Sequence, residues 1–104
     1  MSIAVPLESL PDELSRRGFG YLLTTGDDGR PHAVALVPEV GEGTLRFRAG
    51  GRTCANASAR AAVSIIFPPI DGDGFSLLVD GDAVVEGDVV VLAPTWAVRH
   101  RPAP

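Results

Sequence analysis

Arg46, Arg48, Arg52 and Arg60 are the grouping in this 104-residue chain whose type and spacing best suit ligand chemistry. In TLRFRA at 44–49, Leu45, Phe47 and Ala49 alternate with Thr44, Arg46 and Arg48, so the two arginines share one face of a strand. Arg52 then opens RTCANASAR, a short alanine-rich segment that reads as a helical turn or two, with Thr53 suited to its N-cap. Guanidinium groups beside the free N–H groups of a helix N-terminus have the chemistry of a phosphate cradle. A solvated strand face with each arginine paired to a nearby carboxylate has the same pattern, and spacing alone leaves both readings open.

Other groupings point less clearly to chemistry. Cys54 with His32 or His100 offers a nucleophile and a base, but no nucleophile signature surrounds the cysteine, and its alanine-rich setting suits a small packed side chain. Those three residues lie too far apart in sequence for the tight ligand spacing of zinc sites, so no metal is expected. DGDG at 71–74 begins like a calcium loop, then places Phe75 at a ligand position and Ser76 where glycine is required, so a hairpin turn is the better account. Trp96 stands beside Arg99 and Arg101, where it can anchor the chain, cover a cavity mouth or meet a second copy.

Composition narrows the function classes. All nine basic residues are arginine against thirteen acids, giving a formal charge of −4. Without lysine there is no Schiff-base chemistry and no Walker-type phosphate lysine. The acidic balance argues against nucleic acid, whose non-specific binding rests on neutralised phosphates. Phe47 also alternates away from Arg46 and Arg48, so no aromatic stacks among the cations. The apolar runs near 61–67 and 89–93 fall far short of the ~20 residues of a membrane helix. A single cysteine and a start without a basic, apolar leader lead to the expectation of a reducing, cytoplasmic setting. A chain of this size has little core of its own, which favours a homodimer.

The elements that must position these residues follow from periodicity. Residues 7–17 read as a helix, with Leu7, Leu10 and Leu14 on one face and Gly18 as the stop. Strands are predicted at 19–25, 32–37, 44–49, 62–67, 75–85 and 89–92, separated by glycine turns, with the short helix of 52–60 after the third. Pro94-Thr95-Trp96 reads as the start of a last short helix or turn. The expected fold is mainly β: a small antiparallel split barrel of about six strands in one domain, with residues 1–18 helical, 19–93 forming the barrel and 94–104 a tail.

With that order of elements, the chain resembles the pyridoxamine 5′-phosphate oxidase-like family of split β-barrels. The likeness is carried by LLTTGDDGRPHAVAL at 22–36, LRFRAGGRTCANASARAAVSIIFPP at 45–69 and LLVDGDAVV at 77–85. It implies a homodimeric oxidoreductase fold that binds FMN or a deazaflavin at the subunit interface and acts on a small molecule. The family's serine-arginine-lysine phosphate run becomes Gly51, Arg52 and Thr53 here. Arg48 falls on the strand position beside the phosphate, and Ser76 near a position where relatives place a polar side chain toward the flavin ring. The resemblance therefore nominates Arg48, Arg52, Thr53 and Ser76 as cofactor-binding residues. The missing lysine, and the missing C-terminal extension that holds a pyridoxal-type substrate, argue against vitamin oxidase activity. The rival expectation is a dimeric binding module of the same fold without cofactor, in which Arg48 and Arg52 are tied to carboxylates.

Overall fold

The computed structural model describes all 104 residues. Eight strands and two helices run in the order β1 (Ser2–Ala4), α1 (Leu10–Ser15), β2 (Gly20–Thr25), β3 (Pro31–Leu36), β4 (Glu39–Gly41), β5 (Thr44–Arg48), α2 (Gly51–Ala59), β6 (Ala62–Phe67), β7 (Ser76–Glu86) and β8 (Val89–His100). All pairings are antiparallel, in the order β3-β2-β6-β7-β8-β5-β4, with β1 also on β8. The architecture is a split β-barrel, as the periodicity predicted. Besides the six predicted strands it has β1 and β4, three-residue strands too short to show an alternation.

Alternation along each strand fills the interior. Leu22, Leu45, Phe47, Ile65, Phe67, Leu77, Val79, Val90 and Leu92 are all essentially inaccessible to solvent. The opposite faces of β2, β6 and β7 point outward, and their register sets side chains in rows across the sheet. One row holds Ala35, Tyr21, Ile66 and Leu78, and the next holds Ala33, Leu23, Ser64, Asp80 and Trp96.

Three sequence expectations need correction. The predicted helix over 7–17 is a 3-10 turn at Leu7–Ser9 followed by α1, which ends at Ser15. Pro11 is tolerated because it lies in the first turn of α1, where its missing N–H breaks no helical bond. Arg17 leaves the helix to donate to the carbonyls of Pro68 (3.1 Å) and Phe75 (3.0 Å). Thr53 is not an N-cap. Gly50, extended at φ −71° and ψ 168°, starts α2 directly after β5, which puts Thr53 inside the first turn and buries it.

The largest difference is at the C-terminus. Residues 94–100 are not a helix, turn or tail; β8 continues through Pro94 to His100. A bulge makes this possible. Pro94 is opposite Gly81 and Trp96 is opposite Asp80, leaving Thr95 as the extra residue. Thr95 Oγ1 donates to the Asp80 carbonyl at 3.3 Å. Proline has no N–H to give a ladder, and a bulge is one of the few places a strand can absorb it. Gly81 completes the device, because a Cβ there would overlap the Ala93 carbonyl oxygen and the Leu92 side chain.

Candidate functional site

A groove lies between the β2–β3 turn and the first turns of α2. It encloses about 630 Å³ and is lined by Gly26, Asp27, Asp28, Arg30, Pro31, His32, Arg52, Ala55 and Asn56. Each wall is held from its own sequence. In the turn, Gly29 N–H donates to Gly26 O (2.9 Å), Gly26 N–H to Arg30 O (2.9 Å) and Arg30 N–H to Asp28 Oδ1 (3.0 Å). Gly29 takes φ +78°, a conformation that favours glycine. The other wall is fixed by Asn56, which is buried and donates through Nδ2 to Thr24 Oγ1 at 3.2 Å. Asn56 thereby ties α2 to β2, and its loss would leave the buried Thr24 hydroxyl without this partner.

Charges in and around the groove are unevenly engaged. Arg60 donates to Thr25 O and pairs with Asp27, both at 2.7 Å, so the Asp27 charge is matched. Asp28 accepts from the turn backbone. Arg52 and Arg30 make no ion pair and no side-chain hydrogen bond with the protein. Elsewhere Arg46 pairs with Glu86 at 3.5 Å, while Arg16, Arg17 and Arg99 surround Glu13 at 3.3, 3.9 and 3.5 Å. Arg101 donates to Asp73 O and lies over the Phe75 ring.

Of the four nominated residues, Arg52 is the one in the groove lining, and Arg48, Arg52 and Thr53 follow one another from the end of β5 into α2. Arg48 is the last residue of β5, four positions before Arg52, and its Nη1 contacts both Asp88 oxygens at 3.0 and 2.8 Å. With side chains 79% and 66% exposed, that pair is worth under about 1 kcal/mol. Thr53 is turned into the core side of α2. Ser76 begins β7, whereas Arg48 aligns through Val89 with Glu86 at the other end of the same strand, roughly 30 Å of extended chain away. Sequence reasoning had not singled out Arg30 or Asn56 as site residues. The signal for Arg30 lay in GDDGRP, a turn that carries its own cation into whatever packs against it.

Cys54 is half-buried, with Sγ near the Ala49 carbonyl oxygen at 3.6 Å, a setting for a packed thiol. No helix is long and apolar enough to cross a membrane.

The sheet order defines a split β-barrel, the fold shared with pyridoxamine 5′-phosphate oxidase-like proteins. A protein from Listeria innocua named for that oxidase superposes with a TM-score of 0.75 at 15% identity, over 89% of this chain and 96% of its own. An FAD-binding protein from Mycobacterium smegmatis gives 0.71 at 24% identity, over 97% and 100%. An F420 reductase gives 0.69 at 21% identity, over 81% and 91%. At these identities the likeness is one of fold. No established family profile matches the chain. The chain belongs to one family with uncharacterized proteins of Mycobacterium bovis and Mycobacterium tuberculosis, each 36% identical over 116 residues, covering 95% of this chain and 82% of the relative.

Proposed function

We propose that this protein binds a flavin or deazaflavin nucleotide, with FMN the first candidate, and works as a homodimeric oxidoreductase on a small molecule. The observation that carries the reading is Arg52, a cation without a protein acceptor on the first turn of a helix that has no side-chain cap. Such a group suits the phosphate of a nucleotide. The groove volume falls in the usual range for small-ligand sites. Six of its nine lining residues, Asp27, Asp28, Arg30, His32, Arg52 and Asn56, carry polar or charged side chains, which suits a phosphate and polyol chain.

A second copy would supply the apolar wall the ring requires. The outward rows of the sheet suit that contact, since Tyr21 is 44% and Trp96 50% exposed, and Phe19 stacks edge-on against Tyr21 at 5.3 Å. A bound flavin or deazaflavin supplies hydride chemistry, so the protein itself has to bind, orient and shield it. The second reading, a dimeric module without cofactor, draws support from the Arg48–Asp88 pair; the acceptor-free Arg52 favours the first.

Titrating the protein with FMN, FAD and F420 while following visible absorbance and mass in solution tests the proposal. One cofactor per chain on a dimer is expected, and Arg52→Ala should weaken binding about tenfold or more, as loss of a charged hydrogen bond implies. If none of the three binds at tens of micromolar, the cofactor reading is wrong and the module reading stands.

A further inference from the structure

We infer that Arg30, at the end of the β2–β3 turn, is the second cation of the anion site alongside Arg52. The inference rests on the cofactor reading above and assigns the charge that Thr53 cannot supply. Of the nine arginines, six pair with carboxylates and Arg101 is committed to Asp73 O and the Phe75 ring. The two that remain, Arg30 and Arg52, line the same groove, Arg30 from the β2–β3 turn and Arg52 from the first turn of α2.

The acids of the turn do not cancel them. Asp27 is neutralised by Arg60, and Asp28 is drawn back onto the Arg30 N–H. Asp27, Asp28, Arg30 and Arg52 in the lining balance to zero, and Arg60, which pairs with Asp27 from just outside the lining, brings the local sum to one positive charge. The hydrogen bonds across residues 26–30 hold the turn's backbone in place, so little loop ordering is needed when Arg30 engages a ligand. Two guanidiniums lining one groove suit a phosphate monoester or pyrophosphate, whose several oxygens accept from both. Arg48 is not required for this arrangement, since it is occupied by Asp88 at the end of β5.

The test uses two readouts on the full chain. In the first, protein with 15N-labelled arginine is titrated with inorganic pyrophosphate. The Nε–H signals of Arg30 and Arg52 are expected to shift together along one saturating curve; a shift of Arg52 with Arg48, leaving Arg30 still, overturns the inference. In the second, FMN binding is compared among wild type, Arg30→Gln and Arg16→Gln. Arg30→Gln should weaken binding about tenfold, while Arg16→Gln, an exposed position just past the end of α1, should bind as wild type. Arg30 lies in an exposed turn, so the variant should fold, and its melting temperature checks this. Unchanged FMN affinity in Arg30→Gln rejects this role and leaves the cofactor reading intact. Coupled arginine shifts with pyrophosphate but no flavin binding would reject the cofactor reading while keeping the two-arginine anion site.

Discussion

Gly81→Ala is expected to destabilise the protein by about 3 kcal/mol or more, because its new methyl group has no room. The obstacle is the backbone of β8: the added Cβ overlaps the carbonyl oxygen of Ala93, which is fixed in the ladder opposite β7, as well as the Leu92 side chain. A flexible side chain would swing aside, but a paired carbonyl moves only with its strand. Relief would require undoing the bulge that accommodates Pro94 and Thr95. For a domain of this size the melting temperature should fall by roughly 10–25 °C. Gly72→Ala is the matched control, since a Cβ there meets nothing within 4 Å. If Gly81→Ala melts within a few degrees of Gly72→Ala, β8 can shift and the bulge is not the constraint described.

The second large effect is expected at Glu13. Its carboxylate, buried in the first turn of α1, is shared by Arg16, Arg17 and Arg99. Arg17, with a side chain only 5% exposed, is the most buried of the three and lies 3.9 Å from Glu13 Oε2. Burial pulls the Arg17 guanidinium below its ordinary value; the nearby charges of Glu13, first, and Asp73 oppose this, and the Pro68 and Phe75 carbonyls accept from it. Glu13→Ala would strand that charge and loosen α1 from β8 and the 68–75 loop, at a cost of about 3–5 kcal/mol. Glu13→Gln should lose nearly as much, because the missing quantity is charge. Urea unfolding would show a lower midpoint for both variants at similar m-values. The double variant Glu13→Leu/Arg17→Leu should recover much of the loss by replacing the pair with apolar packing. Midpoints unchanged from wild type in both single variants would show that the cluster carries no weight.

The parts of the fold legible in the sequence were those written in local periodicity. AVSIIF at 62–67 alternates cleanly and is β6 to the residue, and TLRFRA gives β5 to within one. Long-range events left no such trace. In VDGDAVV, Gly81 looks like any glycine in a strand, and its need appears only when Ala93 comes opposite. Pro94 reads as the start of a short helix or turn because proline breaks a regular ladder; the bulge that admits it is made with a residue on another strand. Glu13 reads as an acid in the first turn of a helix, since nothing local says that Arg99 will arrive beside it. The site divides the same way. Arg52 was legible from its place at a helix start. The engagement of Arg48 by Asp88 and the approach of Arg30 to α2 depend on which strands become neighbours.

The β7–β8 hairpin also bears on how the chain finds its fold. Its eleven paired positions are joined through Gly87 and Asp88 alone, so closing it sacrifices little chain freedom. The pairs Leu22–Ile65 and Phe47–Val90 close much longer stretches, and Ser2 reaches His100 across 98 residues. Assembly should therefore begin in the middle of the sheet and spread to its edges, with β1 docking after β5 has taken its part of β8. Hydrogen exchange would record the same order, with Val79 and Val90 amides the slowest and Ile3 among the fastest. Equal protection at Ile3 and Val79 would contradict it. The groove beside α2 is built on β2 and β3, toward one edge of the sheet, so it takes shape only after the central hairpin has given β6 and β2 something to pair with.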